Sequence, residues 1–179
     1  PHNAEKADQN TLNELENLIN SCKKVVAIGE IGLDYHYDFS PREIQQKWFR
    51  AQINLAKKLN LPIIIHNRES NKDVMDIIRE EEAKAVGGVF HCYSGSVEMA
   101  REVLNNNFYI SFSGVVTFKN ARKIIDVVKF VPNDMFLIET DCPYLAPEPF
   151  RGKRNHSGYL PYIIQKIAEL DKEIYKKIS

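Results

Sequence analysis

Five short apolar runs punctuate this chain, and four of them end on a residue that can bind a metal ion or move a proton. Residues 25–29 lead into Glu30, 62–65 into His66, 88–90 into His91, and 135–138 into Glu139-Thr140-Asp141. The fifth, 108–112, has no such ending. The runs are continuously apolar rather than alternating, so they read as strands covered on both faces. Helical spacing fills the stretches between them. Leu12, Leu15, Leu18 and Ile19 recur at one face, and so do Trp48, Ala51, Ile53, Leu55 and Leu59. Strand and helix alternating five times with short connections predicts a parallel sheet.

The expected elements are strands over 25–29, 62–66, 88–91, 108–112 and 135–139. Helices are expected near 12–19, over 41–58, 70–85, 97–106, 119–128 and 159–169. Ser40-Pro41-Arg42-Glu43 reads as a capping box with Pro at the first helical position, and Ser70 as a second cap. An open doubly wound sheet would want a glycine-rich phosphate loop after a strand, and the chain has neither Gly-x-Gly-x-x-Gly nor a P-loop. The other parallel architecture is the (β/α)8 barrel, whose sites are built at strand C-termini. Such barrels take about 250 residues, so the 179 residues here supply five of eight units, and residues 1–179 are read as one incomplete domain.

Lys and Arg number 24, as do Asp and Glu, so overall charge gives no argument for a nucleic-acid partner and any basic patch must be local. The longest apolar runs are about five residues, far short of the ~20 needed to span a bilayer. Cys22, Cys92 and Cys142 are odd in number and widely spaced, which points to a reduced cytoplasmic protein rather than a disulfide scaffold.

Each candidate site residue has an ordinary reading beside the functional one. Glu30 could pair with a cation or with backbone amides, and His66 and His91 could be satisfied core histidines. Packing gives no reason for all of them to stand at equivalent points of successive units. A Glu, His, His, Asp set suits zinc, with manganese or magnesium as options, and two such ions serve hydrolysis. Cys92 and Cys142 each follow a proposed ligand and so face the other way, as packing residues. Arg151, Lys153 and Arg154 are either a solvated loop or a phosphate contact. Tyr93, Tyr144 and Phe150 are weak candidates for stacking on bases.

These segments carry a resemblance. Ala-Ile-Gly-Glu-Ile-Gly-Leu-Asp-Tyr at 27–35, Leu-Pro-Ile-Ile-Ile-His-Asn-Arg at 61–68 and Gly-Val-Phe-His-Cys-Tyr-Ser-Gly-Ser at 88–96 resemble the TatD family of metal-dependent deoxyribonucleases. Tyr-Ile-Ser-Phe-Ser-Gly at 109–114, Glu-Thr-Asp-Cys-Pro-Tyr-Leu-Ala-Pro at 139–147 and Arg-Gly-Lys-Arg-Asn at 151–155 continue it over nearly the whole chain. Pro1-His2-Asn3 is similar to the end of the family's Gly-Val-His-Pro-His segment. The resemblance implies an α/β TIM barrel of the metal-dependent hydrolase type, with two divalent metal ions (Zn, Mg or Mn). Glu30 would bridge them, His66 and His91 would bind one, and Asp141 the other. Asp141 would also take a proton from a water attacking phosphorus, with His36 and Arg154 near the substrate phosphate. DNA or another nucleic acid is the implied substrate; the oligomeric state is not fixed by the sequence, and a monomer is the expectation. The family's His-x-His pair on its first strand has no counterpart, because the histidines are 2, 36, 66, 91 and 156. The stretch at 169–173 is also shorter than the resemblance leads one to expect. The alternatives are a hydrolase of another ester, an amide or a nucleobase on the same barrel, or an inactive fragment acting as a binding module.

Overall fold

The computed structural model describes residues 1–170. It divides into two compact units, the first made of Pro1–Phe90 with Asn105–Phe108, the second of His91–Leu104 and the chain from Tyr109 onward. The stretch at 169–173 falls mostly outside the described residues.

The first unit carries helix α1 (Gln9–Ser21), strand β1 (Ile28–Asp34), α2 (Arg42–Leu59), β2 (Ile63–Arg68), α3 (Asn71–Glu80) and β3 (Gly88–Phe90). β1 pairs with β2 and β2 with β3, all parallel and in sequence order. Ile31, Leu33, Ile63, Ile65 and Phe90 from the strands are buried, as are Phe49, Ile53, Ala56, Val74 and Ile78 from α2 and α3. Each such side chain contributes roughly 1.5–3 kcal/mol when removed from water, which offsets the polar groups held nearby. α2 ends on Asn60 in the left-handed conformation, with its amide donating to the Ala56 and Lys57 carbonyls. Arg50 of α2 pairs with Glu80 and Glu81 at 2.5 and 2.9 Å, tying α2 to the end of α3.

In the second unit follow α4 (Val97–Asn105), β4 (Phe108–Phe112), α5 (Arg122–Phe130), β5 (Phe136–Ile138) and α6 (Leu160–Leu170). β4 and β5 are parallel neighbours. Ile110, Phe112, Val116, Val127, Ile163 and Ile167 form its core, all at 0% exposure.

Several expectations shift. β1 runs from Ile28 to Asp34 rather than over 25–29, because its pairing with β2 continues through Gly32 to Asp34↔Arg68. Glu30 therefore lies within the strand and not at its end. Ser40 does not cap α2, since its hydroxyl accepts from the Glu5 amide and donates to the His2 carbonyl. Ser70 likewise donates to the Leu33 carbonyl instead of capping α3. α3 stops at Glu80, and a short 3-10 turn, Ala83–Ala85, replaces its expected last turn. Leu18, one of the residues at helical spacing in α1, is 58% exposed.

One close approach fixes β1 against β2. Gly32 has φ +132°, and a Cβ there would meet the His66 carbonyl oxygen at 2.0 Å. Neither the conformation nor the space admits a side chain. Gly32→Ala is expected to lower unfolding free energy by about 3 kcal/mol or more, read as a reduced urea midpoint; an unchanged midpoint would mean the strands can separate at this point.

Candidate metal centre

A β-bulge sets the position of Glu30. Ile28 pairs with Ile63 and Ile31 with Ile65, so β1 spends three residues where β2 spends two, and the extra residue falls at Gly29-Glu30. Bulges re-aim side chains and recur beside active sites. The Glu30 side chain stays partly exposed and lines a cavity of about 300 Å3 shared with His2, Trp48 and Leu12. His66, opposite Gly32, places its imidazole between two carboxylates. Nδ1 lies 2.5 Å from Glu30 Oε1, and Nε2 lies 2.9 Å from Asp34 Oδ2.

Asp34 organises this side. Its Oδ2 accepts from His66 and from His2 Nε2 at 2.9 Å, and its Oδ1 accepts from the amides of His36 and Tyr37 at 3.0 and 2.8 Å. Burial pushes this carboxyl up. The Tyr37 amide and the hydrogen bonds from His2 and His66 outweigh that and hold it at about 2. Asp34 is thus an anion at any physiological pH, and an ionised carboxylate only accepts, so the proton of His66 sits on Nε2. Buried Gln45 clamps both ends of the loop that follows. It accepts from the Asp34 amide at 2.8 Å and donates to the carbonyls of Asp34 and Ser40 at 3.1 and 2.8 Å. His36, one of the expected phosphate residues, meets Glu69 through Nδ1 at 2.9 Å.

His91 follows β3 directly, as expected, and belongs to the second unit. Its Nδ1 lies 3.4 Å from Glu139 Oε1, and the same oxygen accepts the Cys92 amide. Asp141 follows β5 by three residues, is half-buried, and adopts φ 56°. Aspartate is among the few residues that tolerate that region. Its loop is held by Asn155, 2% exposed, which donates to the Thr140 and Tyr144 carbonyls at 2.7 and 2.6 Å and through its backbone to Pro143.

The basic loop does not act as one patch. The Arg151 guanidinium packs 3.7 Å from the Phe118 ring centre and Lys153 sits over Phe150, and both stay exposed, as Arg154 does. Tyr93 cannot stack on a base, because it is 5% exposed and its hydroxyl donates to the Ser96 carbonyl. Phe150 is stacked on Tyr159 at 4.2 Å, and Tyr144 stays 70% exposed. Cys92 Sγ packs against the Ser113 hydroxyl at 3.2 Å, while Cys142 is exposed and is not a packing residue.

Comparison with known proteins decides the lineage. The model of the family described as TatD related DNase matches residues 1–179. The chain belongs to this family. It is 58% identical over 161 residues to YabD of Bacillus subtilis, described as an uncharacterized metal-dependent hydrolase, covering 90% of this chain and 63% of the relative. YcfH of Escherichia coli, with the same description, is 46% identical over 145 residues, 81% of this chain and 53% of the relative. The chain thus spans between half and two-thirds of the length of these curated relatives. Among solved structures, the TatD homologue YJJV of Escherichia coli superposes with a TM-score of 0.88 at 30% identity, over 96% of this chain and 68% of that one. The fold is therefore the α/β, TIM-barrel-like fold of the TatD hydrolases. Among the described residues no helix is long and apolar enough to cross a membrane.

The donors of the first unit fit the metal ion that the relatives' description implies. Histidine ligands of metals characteristically donate their other ring N–H to a carboxylate, which is the relation of His66 to Asp34. With Nε2–H on Asp34, Nδ1 is left facing the Glu30 carboxylate oxygen, where a proton or a metal cation between the two satisfies both. His2, Asp34 and His66 also place one ligand atom each within 4.8 Å of one another. Asp34 is the poorer ligand there, since both its oxygens are already occupied. Asp34→Asn should weaken binding of zinc or manganese by roughly 10–100-fold, measured by calorimetric titration. An unchanged affinity would remove Asp34 from any role in orienting His66.

Proposed function

We propose that the protein is a divalent-metal-dependent hydrolase that cleaves phosphodiester bonds in DNA. The observation that carries the reading is the Glu30–His66–Asp34 chain, an imidazole fixed by a buried anion and turned toward a partly exposed carboxylate. Family membership over residues 1–179 supports it, and those residues form part of one hydrolase domain in this reading. Glu30, His66 and His91 would hold one ion, and Glu30 and Asp141 a second, with zinc, magnesium or manganese suiting the donors. When bound, such ions supply Lewis-acid stabilisation of the charge that develops on phosphoryl oxygens.

The chain's own residues do the rest. Asp141 accepts a proton from the attacking water as the water oxygen bonds to phosphorus, and the bond from phosphorus to the nucleoside oxygen breaks, that oxygen leaving with a proton from solvent. His36 and Arg154 contact the phosphate, where cationic donors match its oxygens. Asp34 keeps His66 in one tautomer throughout. The full-length protein should hydrolyse methyl p-nitrophenyl phosphate and a DNA oligonucleotide, lose both activities on chelation, and regain them with added zinc or manganese. Asp141→Asn should lower kcat by roughly 10²–10⁴-fold. Chelator-resistant hydrolysis, or an Asp141→Asn enzyme of normal rate, would defeat this mechanism.

A further inference from the structure

Beside the Glu30–His66 pair lies an aromatic shelf that the hydrolytic chemistry leaves unused. Tyr37 and Phe39 are stacked, with ring centres 5.1 Å apart and planes within 6°. They are 48% and 64% exposed. The His2 ring stands between this stack and the metal-binding histidine, 5.7 Å from Phe39 and 5.4 Å from His66, with its edge or face turned to each. The Arg68 guanidinium lies 4.6 Å from the Tyr37 ring centre. Arg68 follows His66 by two residues on β2, so alternation brings both out on one face of the strand.

The shelf is built rather than loose. Asp34 Oδ1 holds the amides of His36 and Tyr37. Asp38, between the two aromatics at φ 49°, is gripped by Arg42 Nη2 at 2.7 Å. Gln45 fixes both ends of the loop. The carboxylate that orients His66 therefore also positions the stack, and the two keep a fixed relation.

A rigid, flat, solvent-facing aromatic pair has little to offer its own core. We propose that Tyr37 and Phe39 seat a nucleobase of the DNA strand, on the nucleotide adjoining the phosphate handled at Glu30 and His66. Aromatic shelves accept any base, because every base presents a π-face. Charge favours the same occupant, since among the described residues no carboxylate pairs with Arg68 and its guanidinium is available to the strand's backbone. The proposal rests on the nuclease reading and deepens it: the shelf sets a preference for nucleic acid over small phosphodiesters.

The test measures binding without turnover. Full-length protein in chelator is titrated into a fluorescein-labelled single-stranded oligonucleotide, and into one of equal length with abasic residues, and anisotropy is followed. Wild type should prefer the base-containing strand. Tyr37→Ala with Phe39→Ala should weaken that binding about tenfold and leave the abasic strand unaffected. Phe39→Leu, which keeps apolar bulk and removes the flat face, should lose affinity in the same selective way, and Phe39→Tyr should restore it. Equal affinity of wild type for the two strands, or variants that bind the base-containing strand normally or lose both strands alike, would overturn the shelf. Hydrolysis of methyl p-nitrophenyl phosphate serves as the separate check. If the wild type fails to turn it over, the hydrolase reading falls while the anisotropy still decides the shelf.

Discussion

The candidate centre of the first unit depends on one buried anion. Asp34 is 1% exposed and accepts four hydrogen bonds, two from loop amides and two from imidazoles. A carboxylate withdrawn from water without partners would be costly. Here the partners invert the balance and hold it ionised. Everything else follows from that charge: the tautomer of His66, the placement of His2, and the course of the chain from β1 to α2.

The two units solve the loop problem in the same way. A long connection after a strand needs its backbone groups satisfied before it can hold functional side chains still. Gln45 does this in the first unit and Asn155 in the second. Each is a primary amide, able to donate and accept together, and each is 2% exposed. Arg151 packs its guanidinium against Phe118 while staying exposed, as Lys153 and Arg154 do.

Much of the fold could be read from the chain because its signals are local. Continuous apolar runs marked the strands, and His66 and His91 stand where those runs end. The failures were non-local. The apolar run ends before Glu30, yet the pairing of β1 with β2 continues through Gly32, so β1 extends to Asp34 and Glu30 falls on a bulge. Asp34 itself looked like a loop residue because its partners are 32 positions away in either direction. Ser40 and Ser70 had the spacing of caps, but tertiary carbonyls claimed their hydroxyls. Gln45 read as one more polar helix residue. Of the base-stacking candidates, Tyr93 and Phe150 are packed and Tyr144 stays exposed, and the exposed pair Tyr37 and Phe39 was not among them. Burial of an aromatic depends on what folds over it, and residue type does not carry that information.

The geometry of β1 explains why His66 can meet two acids at once. Gly32 and Asp34 are spaced by two on the regular part of β1, and the bulge at 29–30 turns Glu30 toward the same imidazole. Gly32 has no side chain, and the backbone of His66 approaches it more closely than any Cβ would allow. The imidazole occupies the room left between the flanking carboxylates, one nitrogen to each. A side chain at 32 would push β2 away and separate His66 from both acids. Exchanging the buried acid for the partly exposed one would leave an anchoring charge in solvent and a ligand charge without it. The order along the strand, exposed acid then glycine then buried acid, is what makes one carboxylate available to a cation while the other holds the histidine.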